Sequence, residues 1–223
     1  MRRYLYLAAV VGSTLCATLV ASTAAYADTG AVLTVGAVSG PDAAVGDAVV
    51  ASLASGSSAT FYSTTTGSTG VSCASSTFST AVTANPSAPG VATETLDDQT
   101  FATCTTNVVG TTGVRSVVLN NLPYTVSVDG NTKAVTVSPG SAGAIQSTVV
   151  VTTILGAITC VYRPVAGTIS GVADNATNAI IFTNQQFNKV SGSVLCLSTA
   201  YFSATYSPVT DTTQGAAVYV NAA

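Results

Sequence analysis

The sequence predicts an all-β fold, a disulfide-stapled β-sandwich or barrel-like structure, and three observations support this. Charged residues make up only 7% of the 223 residues, and strong helix formers are scarce, with Glu94 the sole glutamate. Thr, Ser, Val, Ala and Gly fill much of the chain, which suits strands and tight turns. Short apolar or alternating runs recur about every eight to twelve residues, the spacing typical of a sandwich or barrel.

The first 27 residues have the pattern of a cleaved export signal. Arg2 and Arg3 form a charged start, an apolar body runs from Leu5 to Ala25, and Ala25-Tyr26-Ala27 fits a small-x-small cleavage site. A membrane anchor is the alternative, but polar residues interrupt the apolar body. The adjacent arginines leave the general and the twin-arginine export routes both open. We therefore expect a secreted, extracellular protein, released or held non-covalently at the cell wall.

The strand candidates follow in order along the rest of the chain. They are residues 32–35, 48–53, 59–62, 77–82, 91–96, 125–128, 134–137, 147–162, 179–182, 201–206 and 216–220. The clearest is a hairpin in which Val126, Val128, Val135 and Val137 alternate with polar residues about an Asp-Gly turn. These four valines are predicted to face a core.

The run from Ser147 to Tyr162 is apolar on both faces, at Val149 to Val151 and again at Ile154 and Leu155. Such a pattern is typical of a strand in the centre of a sandwich, covered on both sides. We expect Ile154 and Leu155 to be buried.

One stretch occurs twice, from Cys73 to Cys104 and from Cys160 to Cys196. Each copy reaches a hexad, Leu96–Phe101 or Phe182–Phe187, with the order large apolar, any residue, Asp or Asn, Gln, any residue, Phe. This predicts two tandem pseudo-repeats of about 87 residues, the separation of Cys73 and Cys160. Their ranges are 28–117 and 118–223, the second with a C-terminal extension. Two domains and one continuous sandwich both remain open.

The four cysteines that follow the export signal allow three pairings. A copied unit should keep its bridge internal, which selects Cys73–Cys104 and Cys160–Cys196. Exported chains meet an oxidising environment, so bridges are expected there. Each would stabilise the fold by about 3.7 kcal/mol through loop closure. A redox or metal site would need Cys-x-x-Cys or a nearby histidine, and the sequence has neither.

The number and sign of the charged residues limit the kinds of binding partner. Without the signal, the basic residues are Arg115, Lys133, Arg163 and Lys189, against nine acidic residues, a net charge of −5. Four scattered cations argue against nucleic acid and against an anionic membrane surface. The predicted partner is an extracellular protein or cell-wall component, with no membrane span after processing, and self-association is an open alternative.

Candidate chemistry is sparse, because the chain has no histidine and hence no His-based triad or His-ligated metal. Asp97 and Asp98 suggest a calcium site or, better, a capped turn. Gln99 and Gln185, one per copy, are either ligand-binding amides or partners of a neighbouring turn backbone. We assign no catalytic residue, no cofactor and no metal.

Three aromatic residues are the best candidates for a carbohydrate-binding face. Tyr201, Phe202 and Tyr206 lie close together in one strand candidate. Packing in the core or at a sheet edge is the favoured use of these side chains.

Three segments carry a resemblance to known proteins: Gly110 to Ser116, Thr183 to Phe187, and Tyr206 to Gly215. In these the chain resembles a group of small secreted actinobacterial proteins, labelled mainly by a twin-arginine-type export signal. The likeness covers the sequence beyond the signal. It implies secretion and transfers no functional residue, because the group has no assigned activity.

The sequence thus favours a secreted, non-enzymatic β protein that acts through its surface, as a cell-envelope or matrix component or a protein-binding module. The alternative is a secreted inhibitor or antagonist that presents a rigid disulfide-held loop. The segments Asn85 to Gly90 and Thr105 to Gly113 are the candidate loops.

Overall fold

The computed structural model describes residues 30–222, and the predicted export signal lies outside that range. The described chain is all-β, as predicted, with no helix. The strands are Leu33–Val35 (β1), Ala48–Leu53 (β2), Ala59–Tyr62 (β3), Gly70–Ala84 (β4), Val91–Thr106 (β5), Gly113–Asn120 (β6), Tyr124–Asp129 (β7), Ala134–Ser138 (β8), Gln146–Thr153 (β9), Gly156–Pro164 (β10), Ile169–Asp174 (β11), Ala179–Gly192 (β12), Thr199–Asp211 (β13) and Ala216–Val220 (β14). Among the described residues, no helix is long and apolar enough to cross a membrane.

Eight strands form a closed antiparallel barrel, in the order β2-β4-β5-β7-β8-β11-β12-β13 and back to β2. Closure occurs where β13 pairs with β2, through Val209 opposite Ala51 and Asp211 opposite Val49. A barrel of this size has an interior that side chains can fill, and it leaves no unpaired sheet edge.

Four of the barrel strands, β4, β5, β12 and β13, continue beyond it and carry further strands. Strand β3 bridges the outer parts of β4 and β13, while β10, β9 and β6 add in turn to the outer part of β12. Strand β6 then returns alongside β5. We call β3, β6, β9, β10 and these outer strand parts the extension.

The two hexads mark the waist between closed barrel and extension. Leu96 still pairs with β7, and the strand then runs on to Cys104, opposite Cys73. Likewise Phe182 pairs with β11, whereas Phe187 pairs with β10. Both the closed barrel and the extension therefore take strands from residues 28–117 and from residues 118–223, so these two ranges interleave.

An aromatic cluster fills the waist. The ring centroid of Phe202 lies 5.0 Å from that of Phe61 and 6.0 Å from that of Phe182. Phe182 in turn lies 6.0 Å from Phe78, whose ring is 5.7 Å from that of Tyr206. These rings connect the cores of closed barrel and extension into one hydrophobic cluster.

Two disulfides, Cys73–Cys104 and Cys160–Cys196, join the cysteines that the repeat argument pairs. The first links directly opposed residues of β4 and β5 in the extension. The second links β10 to the segment that follows β12. Both bridges lie in the extension.

The predicted valine hairpin is present as β7 and β8, with Val126 opposite Val137 and Val128 opposite Val135. All four side chains are buried. The turn is longer than a two-residue Asp-Gly turn. The Asp129 carboxylate caps it by accepting hydrogen bonds from the backbone N–H groups of Asn131 and Thr132.

Candidate functional site: the loop end of the extension

Within residues 30–222, the two interior cavities described below have no room for a ligand of ordinary size. A cavity in the extension, lined by Val149, Val151, Phe187 and neighbours, measures about 30 Å³, and one in the closed barrel measures about 40 Å³. Each is on the scale of one water molecule, whereas small-molecule sites are about ten times larger. This directs the search to the surface.

The most unusual surface is the free end of the extension, built from three connections. These are residues 107–112 between β5 and β6, residues 154–155 between β9 and β10, and residues 193–198 between β12 and β13. We call these three segments together the loop end.

The β9–β10 connection corrects the sequence prediction at Ile154 and Leu155. One covered strand was expected here, but β9 ends at Thr153 and the chain reverses through these two residues. The Thr153 hydroxyl accepts a hydrogen bond from Leu155 N and donates one to Gly156 O. Gly156 has φ +122, a conformation that favours glycine, so the turn forms there.

The second connection, residues 193–198, is held at both ends. Cys196 is bonded to Cys160 of β10. The Lys189 ammonium donates hydrogen bonds to Ser193 O at 3.0 Å and to Cys196 O at 3.5 Å. The loop therefore has a fixed base.

The third connection, residues 107–112, contacts residues 193–198 and the end of β9, next to residues 154–155. Thr111 donates through its hydroxyl to Val108 O, and Thr112 N donates to Thr152 O at 2.7 Å. A Cβ placed on Gly110 would lie 3.5 Å from Leu195 Cδ2. These contacts bring the three loops together at one end of the molecule.

The loop end exposes large aliphatic side chains. The exposed fractions are 90% for Val109, 88% for Ile154, 94% for Leu155, 94% for Val194 and 40% for Leu195. Single exposed apolar residues are ordinary, but several on neighbouring loops make this end a candidate interaction site.

Acidic and basic residues are distributed unevenly between the closed barrel and the extension. All eight acidic residues in the described range lie in the closed barrel or its connections, the farthest toward the extension being Asp97 and Asp98 at the waist. The extension has no acidic residue and carries Arg115, Arg163 and Lys189. The positive half of the protein is therefore the half that ends in the exposed aliphatic residues.

A polar recess of about 270 Å³ lies on the outer face of the extension, lined by Tyr62, Ser72, Thr105 and neighbours. Its most versatile group is already used, because the Asn107 amide accepts a hydrogen bond from Gly70 N and donates one to Ser68 O. No charged side chain lines the recess. The recess therefore presents hydroxyl groups but no charged group to a ligand.

The sequence-predicted site residues are not brought together. Asp97 and Asp98 are exposed within β5, so the interpretation as a capped turn is wrong: they lie in the strand, where its pairing with β4 shifts register between Leu96 and Asp98. Gln185 does bond to backbone, accepting from Ser170 N and donating to Thr183 O. Gln99 instead is buried and donates to the Tyr206 hydroxyl.

The three aromatic carbohydrate candidates do not form a surface. Phe202 and Tyr206 are buried in the waist cluster, and Tyr201 is half-buried. Burial raises the pKa of Tyr206 to about 12, opposed by smaller effects of hydrogen bonds with Ser76 and Gln99. Their role is packing, the use that the sequence favoured.

The candidate loops of the inhibitor alternative differ in their surroundings. The Asn85–Gly90 segment is tied to the N-terminal part, since Asn85 bonds to Leu33 N, Leu33 O and Ala43 O. The Thr105–Gly113 segment belongs to the loop end.

One buried ionisable group was not singled out by sequence. Glu94 points into the small cavity of the closed barrel. Burial raises the pKa of Glu94 to about 7, partly offset by its hydrogen bond with Thr80. The alternation of Val91 to Leu96 could have revealed it, because Glu94 shares the inward face with Ala92 and Leu96.

Comparison with protein-family models, curated proteins and solved structures gives no match for this chain.

Proposed function

We propose that this chain is a secreted, non-enzymatic extracellular protein that acts through its surface, as a cell-envelope or matrix component or a protein-binding module. The loop end is the acting surface. The observation that carries the proposal is the exposure of Val109, Ile154, Leu155 and Val194 on three connections that meet at one end.

The construction of the fold supports this proposal. The closed barrel has no sheet edge, and the cavity in the barrel and the cavity in the extension each hold about one water molecule. These features favour recognition through the exposed loops. The loop end is anchored by Cys160–Cys196 and by the Lys189 hydrogen bonds, so it can present its side chains with little loss of conformational entropy on binding. Disulfides also fit an oxidising extracellular environment.

The test is a pull-down with the oxidised, exported protein as bait against culture supernatant, cell wall and membrane fractions. A double variant, Ile154→Ser with Leu155→Ser, removes two of the exposed side chains. Val45→Ser is the matched control, since Val45 is 69% exposed but lies in the connection before β2, at the opposite end. We expect capture by the natural protein and by the control, and loss of capture in the double variant. Equal capture by all three would contradict the proposal.

The inhibitor alternative rests on a different observation, the clamp on residues 193–198 by Cys196 and Lys189. A rigid loop of this kind suits insertion into a partner's cleft. Gel filtration of the oxidised protein separates an inhibitor from an envelope or matrix component: the inhibitor is a clean monomer that forms a one-to-one complex, whereas the envelope or matrix component forms higher assemblies.

A further inference from the structure

From the composition and charge of the loop end, and resting on the proposed function, we infer that its occupant is the surface of an anionic lipid bilayer. The loops would enter the headgroup region with their aliphatic tips while the extension stands above it.

The chemistry of the loop end favours lipid over protein. Its segments, residues 107–112, 154–155 and 193–198, contain no aromatic and no charged residue. Protein interfaces are typically centred on Tyr, Trp and Arg, the residues that dominate their binding energy. Aliphatic side chains flanked by Ser and Thr match instead the boundary between acyl chains and headgroups, into which apolar faces sink by about 5–10 Å.

The placement of charge selects an anionic surface. Arg115 is exposed on β6, two residues from its start beside the loop end, and Lys189 lies at the base of residues 193–198. Each basic residue near an anionic membrane strengthens binding about fivefold. The acids of the closed barrel would point away from the lipid. The sequence argument against such a surface counted the cations over the whole chain, whereas the fold places three of four in the extension.

The same charges disfavour a second copy as the occupant. Packing two loop ends together would bring Arg115 and Lys189 of each copy toward their counterparts, with no acidic residue of the extension to balance them. Like charges facing each other across a contact oppose association.

The experiment is flotation of the oxidised, exported protein with vesicles of equimolar phosphatidylglycerol and phosphatidylcholine, and with pure phosphatidylcholine vesicles. We expect binding to the anionic vesicles, weaker binding to the neutral ones, and loss of the difference in about 0.5 M NaCl, where charges are screened beyond a few ångströms. Ile154→Ser with Leu155→Ser should raise the lipid concentration for half-maximal binding at least ~tenfold. Arg115→Gln should raise it about fivefold on anionic vesicles only.

Val45→Ser is the control and should bind as the natural protein does. Val194→Ser, on a different loop, should also weaken binding, so the test does not depend on correct folding of the double variant alone. Circular dichroism checks the folding of each protein.

Absence of vesicle binding, or equal binding by the loop variants, overturns the lipid inference. If vesicles fail but the pull-down captures an envelope protein through the loop end, the proposed function stands and only the lipid inference falls. If the natural protein does not bind vesicles but forms a dimer that the loop variants do not form, the occupant of the loop end is a second copy and the lipid inference is overturned.

Discussion

Gln99 of β5 donates a hydrogen bond from Nε2 to the hydroxyl of Tyr206 on β13, at 2.7 Å, and both side chains are buried. The same hydroxyl lies 2.8 Å from Ser76 Oγ on β4. Three strands that pass from closed barrel to extension are thus joined at the waist by one buried polar network. Such a network specifies the packing of the strands, provided that all its members are satisfied.

Replacing Tyr206 by Phe should destabilise the protein by about 1–3 kcal/mol, because Gln99 and Ser76 lose a buried partner while the ring is kept. Urea unfolding monitored by circular dichroism measures the change. Gln99→Leu should have a cost of similar size. Gln185→Leu is the matched control in the second hexad: its partners lie at the exposed surface, so its cost should be clearly smaller.

Glu94 should make stability fall as the pH rises through the neutral range. Its pKa is about 7 when folded against an ordinary value of 4.5, so between these values the unfolded state loses its proton first. The stabilisation is complete below pH 4.5 and is lost as the pH passes 7, a change of about 3 kcal/mol. Thermal or urea unfolding at pH 5 and pH 8 measures it.

Glu94→Gln provides the control, because an amide does not titrate. The variant should be more stable than the natural protein at pH 8 and should lack the decline. Three aspartates have pKa values held below the ordinary 3.8, chiefly by hydrogen bonds from Gln214 to Asp47, from Thr132 to Asp129 and from Thr177 to Asp174. Their contribution to stability is lost only in acid, below pH 3.8. An unchanged decline in Glu94→Gln would show that another group is responsible.

The two disulfides should have separable effects. Removing either pair by Cys→Ala should cost about 3–4 kcal/mol in the loop-closure estimate. Removing Cys160–Cys196 should in addition expose residues 193–198 to proteolysis, because that bridge anchors the loop. Limited proteolysis with mass spectrometry compares the variants. Equal cleavage of this loop in both disulfide variants would contradict the anchoring role.

Asn85 should be important for the attachment of the N-terminal strand. Its amide bonds to Leu33 N at 2.8 Å, Leu33 O at 2.9 Å and Ala43 O at 2.8 Å. Asn85→Ala should cost about 1–3 kcal/mol and speed amide exchange in β1. Asn188→Ala is the control, since its side-chain hydrogen bond with the Thr199 hydroxyl lies at the exposed surface and its loss should change stability little. Hydrogen exchange followed by mass spectrometry measures the amide exchange of β1 in both variants.

Local patterns predicted much of the fold. Alternation identified the β7–β8 hairpin through its four valines, and the cysteine repeat paired the cysteines as the structure does. The tandem duplication itself stays a prediction. Closure into a barrel was not decided by sequence, because it depends on pairings between distant strands such as β13 with β2. The outer part of β5 was missed, since polar residues such as Asp97 and Asp98 hide its strand character.

The candidate site was hidden for a related reason. Ile154 and Leu155 look like core residues in the sequence, and only the reversal at Gly156 places them at a tip. Likewise, the net charge of the chain does not show where the charged residues lie in the fold. Arg115 and Lys189 become part of the candidate site only because the fold places them beside the same exposed loops.

The most direct test of the account is hydrogen-exchange footprinting of the exported protein, free and bound to the cell-envelope fraction that captures it. The account predicts that binding slows exchange at residues 107–112, 154–155 and 193–198 and leaves the connection around Val45 unchanged. Protection confined to the closed barrel, with these three segments exchanging as in the free protein, would contradict it.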